Sequence, residues 1–365
     1  MKKIRFAIIG CGGYVRTHVK TIVESVPQFK CVALCDIVRD HAESLRSESF
    51  VKDDPAIFLD YKQMLKQVKP DAVLVSTPHT LHFQHAFDSM AAGSHVMIDK
   101  PMVTNSEQAR KLVRQSKAKK KLLSLAIQGT HTAEFAYARQ MLDDGTLGPI
   151  QLATGIMGQG WMKGTVGLWR QEPSLSGGGQ LYDSTCHVLS SMLFLVNSPP
   201  TEVFCFADNK GCKVDINAVC AIKFANGTMA TMTSGGNSNG WRSHLHFQCE
   251  NAMMEISPHG HPADFKVYGK PFKEDIRSVP KNWKVPTLRP VQNFAQAIMG
   301  KACLRCTGEF GIMLADLMDG IYASVKTGLP VQMVRRPNLT ITKPKFLIAG
   351  TKSYVPTAQG PIAPA

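Results

Sequence analysis

An α/β domain built on a parallel, doubly wound sheet, followed by an α+β domain whose large open sheet is mostly antiparallel, is what this sequence predicts. Three observations predict it. Up to about residue 127, apolar runs of strand length alternate with segments of helix length. The first of these runs leads straight into the glycine-rich turn Gly10-Cys11-Gly12-Gly13. Beyond about residue 150, short strand-like runs follow one another, and Asn226-Gly227 supplies a hairpin turn between two of them.

Ile4 to Ile9 is a continuous apolar run, as expected of a strand buried on both faces. A helix is predicted from about Val15 to Val26, then a strand over Cys31-Val32-Ala33-Leu34-Cys35-Asp36 that ends in an acid. Asp71 to Ser76 reads as a strand stopped by Thr77-Pro78. A helix from about Leu81 to Ala92 is closed by Gly93, and His95 to Ile98 forms the strand leading to Asp99-Lys100-Pro101. Glu107 to Lys119 is helical and Leu122 to Ile127 is a strand. In the second half, strands are predicted over Val203–Ala207, Ala218–Phe224, Thr228–Thr233, His244–Cys249 and Met253–Ile256. Helices from about Val291 to Met299 and Phe310 to Lys326 would cover them. The division expected is 1–127, 128–337 with late helices returning to the first domain, and a Pro/Thr/Lys/Gly-rich tail over 338–365. There is no internal repeat.

Composition narrows the class. A chain of 365 residues exceeds one ordinary core, and 44% hydrophobic with 19% charged residues is a globular balance. No window approaches the roughly 18 apolar residues of a membrane span. The apolar part of the amino terminus is too short for a secretion signal. Ten cysteines at irregular spacing are not a disulfide scaffold, which points to a reducing cytoplasm. Cys303-Leu304-Arg305-Cys306 lacks a second pair, and His79, His82 and His85 lack acidic or cysteine partners, so no metal site is expected. The formal charge of +14 favours anionic ligands. It is spread along the chain, its one dense run (Lys117 to Lys121) follows a helix, and no nucleic-acid motif accompanies it.

The glycine turn carries the first functional signal. Gly10 permits the tight turn, Gly12 and Gly13 let the backbone approach a pyrophosphate, and Tyr14 and Val15 open a helix whose amino terminus attracts that anion. Val15 replaces the third glycine of the usual fingerprint, so looser helix–strand packing is expected there. Asp36, ending the second strand, is the expected acceptor for adenosine ribose hydroxyls and repels a 2′-phosphate, so NAD is favoured over NADP. Arg39 offers the opposing guanidinium. Together these define an α/β Rossmann domain.

Lys100, at the carboxyl end of a buried strand, points into the crevice where such sheets bind ligands and is placed to touch both a cofactor and a substrate. It suits stabilisation of a developing negative oxygen. Asp183 and His187 are spaced i, i+4 after three glycines, so a helix would present both on one face. The imidazole suits a general base, and the carboxylate suits orienting it or holding a neighbouring hydroxyl. Trp169-Arg170 suits stacking on a sugar ring and binding its hydroxyls or a carboxylate, and Trp161 and Lys163 sit in a glycine-rich loop over the expected pocket.

On these and further stretches the sequence resembles the glucose–fructose oxidoreductase, inositol dehydrogenase and MocA-type (Gfo/Idh/MocA) family from about residue 4 to 332. The further stretches are Ser76-Thr77-Pro78-His79-Thr80-Leu81-His82, Ala92-Gly93-Ser94-His95-Val96, Gly145-Thr146-Leu147-Gly148, Gly177-Gly178-Gly179-Gln180-Leu181-Tyr182-Asp183-Ser184-Thr185-Cys186-His187, Phe224-Ala225-Asn226-Gly227 and Thr327-Gly328-Leu329-Pro330-Val331. The resemblance implies catalysis by Lys100, Asp183 and His187. It also implies that Thr77, Pro78, His79, His82 and Asp99 lie beside the nicotinamide. A homodimer or homotetramer through the open sheet is implied as well. Asp99 stands for the family's glutamate, His79 for an asparagine, Thr185 for a glycine and Ser190 for an aspartate. The family's common arginine is missing from Gln128-Gly129-Thr130-His131. These departures bear on the substrate, because His79, Thr130, His131 and Thr185 are expected to line its pocket. The expected function is hydride transfer between NAD and a hydroxyl carbon of a sugar or cyclitol. Two alternatives stay open: tightly held NAD used for transient oxidation during epimerisation or glycosidic cleavage, and a regulator that senses NAD or sugar without turnover.

Overall fold

The computed structural model describes residues 3–259 and 264–333. Its first half alternates strand and helix: β1 Ile4–Ile9, α1 Val15–Ser25, β2 Phe29–Cys35, α2 Arg39–Arg46, β3 Ala56–Phe58, α3 Tyr61–Val68, β4 Ala72–Val75, α4 His82–Ala91, β5 His95–Asp99, α5 Ser106–Lys119 and β6 Leu123–Ala126. The six strands pair in parallel in the order β3-β2-β1-β4-β5-β6. The order reverses between β1 and β4, and a crevice opens at that switch point.

The second half adds α6 Ala133–Asp143, β7 Ile150–Gly158, α7 Trp161–Gly164, α8 Pro173–Ser176, α9 Cys186–Val196, β8 Pro200–Asp208, β9 Asn217–Phe224, β10 Met229–Gly235, β11 Arg242–Cys249, β12 Met253–Ile256 and β13 Lys266–Tyr268. Helices α10 Pro290–Ile298 and α11 Gly308–Thr327 and strand β14 Val331–Gln332 follow. Its eight strands lie in the order β13-β12-β11-β7-β10-β9-β8-β14. Only β7 and β10 run parallel within this sheet. The sequence reading assigned no element to β7, whose apolar alternation is broken by Gly155 and Gly158.

The late helices are part of the first domain's packing. Val291, Phe294 and Ala295 of α10 join Phe6, Ile8, Val15, Val19 and Ile22 in one core beneath β1 and α1. On the other face α11 lies against α5, where Arg110 and Asp316 form an ion pair at 2.6 Å and Asp319 accepts the Ser106 N–H at 2.9 Å. Ser324 of α11 accepts the Cys205 N–H of β8 at 3.0 Å, so this helix braces both sheets. The tail expected over 338–365 lies outside the described residues.

Candidate active site

At the end of β1, Gly10 has φ +93°, and a Cβ there would sit 2.6 Å from the backbone of Ser76. Only glycine lets β1 end this close to the turn after β4. Gly12 and Gly13 have no atom within 4 Å of a Cβ position, leaving an open backbone face at the amino terminus of α1. Asp36 closes the loop: Oδ2 accepts the Cys11 N–H at 2.8 Å and Oδ1 the Val38 N–H at 2.9 Å. Each oxygen retains acceptor capacity. Val15 is wholly buried among α1 and β1 residues, so its side chain fills the space a third glycine would leave. Tyr14 is half exposed, edge-on to His18 at 5.3 Å. Arg39 turns outward and meets Glu43 at 3.4 Å. An open glycine cradle, a helix amino terminus and a fixed acid suit a dinucleotide.

The turns after β4 and β5 are tied together by His82. Its Nδ1 lies 2.7 Å from the Pro101 carbonyl and its Nε2 2.7 Å from the Thr77 carbonyl. Thr77 Oγ1 also contacts His85 Nδ1 at 3.0 Å. Asp99 accepts from Ser76 Oγ at 3.0 Å and from the Lys100 N–H at 2.9 Å. Burial alone would raise the Asp99 carboxyl, but His18, Lys100 and His82 outweigh it and hold it below the usual range.

Lys100 and Asp183 form the centre. The ammonium donates to the Asp183 carbonyl at 2.8 Å and to Asp183 Oδ1. Asp183 Oδ2 accepts from Trp161 Nε1 at 2.7 Å and Arg170 Nε at 3.0 Å. The Arg170 guanidinium lies 4.6 Å from the Trp169 ring, and Trp169 meets His79 edge-on at 4.8 Å. His79 Nδ1 is 3.0 Å from the Ser176 carbonyl. Burial disfavours the Lys100 charge, but Asp183 and Cys186 more than offset it, so its affinity for a proton rises. Burial would likewise raise Asp183, yet Lys100, His79 and Arg170 hold its carboxyl far below the usual range. Burial takes His79 down to about 3.

His187 begins α9 after a π-helical turn over Leu181–Thr185. The i, i+4 spacing assumed a regular α-helix, and this turn separates the pair. Asp183 spends its oxygens on Lys100, Trp161 and Arg170, and His187 Nδ1 is buried without a partner among the described residues. The carboxylate therefore does not orient the imidazole. His187 is held well below its ordinary value by burial, then by the charge of Lys100 and by His259.

The three glycines before this turn are required by what they touch. A Cβ on Gly177 would meet Thr104 at 2.5 Å, on Gly178 the Tyr322 hydroxyl at 2.1 Å, and on Gly179 the Asp215 carbonyl at 2.0 Å. Asp215 accepts the N–H groups of Gly179 at 2.7 Å and Leu181 at 2.8 Å, and the Tyr322 hydroxyl at 2.6 Å. The sequence reading missed Asp215 and Tyr322. The acid set between Val214 and Ile216 was the one signal for the former.

Other expected pocket residues sit elsewhere. His131 is wholly buried, with Nδ1 at 2.8 Å from the Ile127 carbonyl, and burial with the Arg305 charge takes it down to about 4. Thr130 and Thr185 are also wholly buried, against Cys306 and Ser234. All three are buried behind the crevice rather than on its surface: Thr130 and His131 because the 3-10 turn at Gly129–His131 packs against α9, and Thr185 within the π-helical turn. His79 is buried too, in contact with Trp169. Cys306 is buried while Cys303 is exposed, and no cluster of metal-ligating side chains occurs among the described residues.

A nucleotide cradle facing a lysine–aspartate–histidine crevice defines a Rossmann-fold oxidoreductase. The chain belongs to the GFO/IDH/MocA oxidoreductase family: residues 4–127 match the model of its NAD-binding Rossmann fold, and residues 135–255 match the model of its C-terminal domain. D-glucoside 3-dehydrogenase of Escherichia coli (strain K12) is 24% identical over 369 residues, covering 90% of this chain and 97% of that protein. Inositol 2-dehydrogenase of Agrobacterium fabrum is 27% identical over 150 residues, 41% of this chain and 44% of its own. In fold, the chain is similar to the WlbA dehydrogenase of Bordetella pertussis solved with NADH and UDP-GlcNAcA. The TM-score is 0.80 at 19% identity, covering 92% of this chain and 99% of that one.

Proposed function

We propose that the protein transfers a hydride between NAD and a secondary hydroxyl carbon of a sugar or cyclitol. The observation that carries this reading is the Lys100–Asp183–Arg170 ion-pair cluster beside the buried imidazole of His187 at the nucleotide crevice. Gly12, Gly13 and Asp36 would hold the dinucleotide, whose nicotinamide supplies the hydride acceptor when bound.

The chain's own groups handle the proton and the charge. A lysine ammonium has three donors. Lys100 commits two to Asp183, which leaves one for the substrate oxygen. Asp183 keeps the ammonium charged, so it stabilises the oxygen as negative charge develops there. His187, neutral, accepts the hydroxyl proton at Nε2. Trp161 and Arg170 fix the Asp183 carboxylate, and the remaining guanidinium edge of Arg170, laid over the Trp169 ring, is offered to the sugar.

Lys100→Ala and His187→Ala should each lower turnover by about 10²–10⁴-fold while NAD affinity stays within a few-fold. Steady-state kinetics and fluorescence titration with NAD check this. Near-normal turnover in either variant would remove that residue from the mechanism.

The outer face of the second sheet exposes Leu152, Ile156, Phe206, Val219 and Met229. Large apolar side chains clustered on one sheet face, here with threonines among them, suit a protein interface, and we infer that two copies pair through it as a homodimer or as half of a homotetramer. A cytoplasmic location is inferred from the ten cysteines, eight of them buried as free thiols. No helix among the described residues is long and apolar enough to cross a membrane.

A further inference from the structure

A second imidazole, unused by the mechanism above, lies against His187. His259, in the turn after β12, packs its ring on His187 with 4.8 Å between centroids and a tilt of 59°. The turn is held by a close approach to the 3-10 turn at Gly129–His131, since a Cβ on Gly129 would lie 2.5 Å from the Pro258 carbonyl. His259 Nδ1 is 2.9 Å from Ser243 Oγ on β11. Its Nε2 makes no hydrogen bond among the described residues. Burial and then the Lys100 charge take His259 down to about 4, so it is neutral near pH 7. Trp241 meets the His259 ring edge-on at 5.1 Å and is 54% exposed.

Two neutral imidazoles in ring contact therefore border the crevice, each able to make one further hydrogen bond. His187 serves the hydroxyl being oxidised. Adjacent ring hydroxyls are separated by a single carbon–carbon bond, so an imidazole 4.8 Å from His187 between ring centroids is spaced to reach the next hydroxyl of a cyclic diol. An exposed tryptophan beside that position suits the C–H face of a sugar ring or its anomeric substituent.

We propose that His259 is a substrate-binding residue whose Nε2 holds the hydroxyl vicinal to the reacting one, with Trp241 carrying the apolar face of the ring. The enzyme thereby selects cyclic vicinal diols. This rests on the reading under Proposed function. A neutral imidazole has one donor and one acceptor, so with Nδ1 engaged by Ser243, Nε2 makes one hydrogen bond in either tautomer.

The test uses the full chain with NAD, following NADH formation from methyl β-D-glucopyranoside, myo-inositol and their monodeoxy analogues. Loss of the reacting hydroxyl abolishes turnover and identifies the carbon. Loss of the hydroxyl beside it should lower kcat/KM about tenfold in the wild type, the size of one hydrogen bond left unmade. In His259→Ala that discrimination should fall to near unity, and His259→Gln, which keeps a hydrogen-bonding group, should restore part of it. A uniform drop in kcat for every analogue, with the tenfold ratio retained, would make His259 a support for the His187 ring only and overturn the proposal. NADH formation with no discrimination in the wild type would also overturn it. No NADH from any of these compounds, despite NAD binding, would overturn the functional reading first.

Discussion

At the scale of single residues, the site is held by carboxylates that each accept from several donors at once. Asp36 accepts two backbone N–H groups, and Asp183 accepts from an ammonium, an indole and a guanidinium. Asp36→Ala should weaken NAD about tenfold or more, the scale of a charged hydrogen bond, and narrow the preference over NADP. Titration with both cofactors checks it, and an unchanged preference would move the ribose contact elsewhere. The glycine turn, Lys100, Asp183 and His187 stand out in the sequence as short local motifs, and the structure brings the last three together, though not through the i, i+4 pairing that the spacing suggests. The partners of Asp183 were legible only as residue types. Trp161 and Arg170 were read as substrate contacts, yet both also hold the carboxylate. His131 was misplaced because nothing in its neighbours reveals that the turn carrying it is tucked beneath a helix. His259 and Trp241 gave no signal, since a turn some 70 residues beyond His187 approaches it only through the second sheet.

At the scale of elements, the π-helical turn and the triplet before it set the site. Gly177, Gly178 and Gly179 were legible as a motif, but their reason was not, because Thr104, Tyr322 and Asp215 come from three distant segments. Asp215 anchors the amino end of this helical segment, so Asp215→Ala would leave two N–H groups and a buried hydroxyl without their acceptor. The expected cost is about 2–4 kcal/mol in denaturant unfolding, with lowered turnover. Tyr322→Phe should cost about 1 kcal/mol. Stability unchanged in Asp215→Ala would remove it as the anchor. The strands β8 to β12 were legible from alternation and a hairpin turn. The central β7 was not, because glycines interrupt its apolar pattern.

At the scale of the whole molecule, buried neutral histidines link stability to pH. His79 and His131 are buried in the fold, with folded values of about 3 and about 4. Unfolded, each takes up a proton near pH 6.5. The folded state then binds fewer protons, so their contribution is complete above about pH 6.5 and lost as pH falls toward 4. The two together should cost on the order of 3 kcal/mol per pH unit between about pH 6 and 5. Thermal unfolding across that window should show a falling Tm, and a flat profile would contradict these placements. The proposed pairing through the second sheet predicts a dimeric or larger mass in sedimentation that Phe206→Asp reduces to a monomer, whereas a monomeric mass before the substitution, or an unchanged mass after it, would contradict pairing through this face. The two-domain order was legible from the change of periodicity near residue 150, but the return of α10 and α11 to the first core rests on packing that no local pattern encodes. The central claim is hydride transfer from a sugar or cyclitol hydroxyl through Lys100 and His187. Its most direct test is NADH formation by the purified full chain supplied with NAD and a panel of sugars and cyclitols, run beside Lys100→Ala. NADH should accumulate with at least one of them, and turnover should be about a hundredfold or more lower in the variant. NAD bound with no NADH from any compound, or equal turnover in the variant, would contradict it.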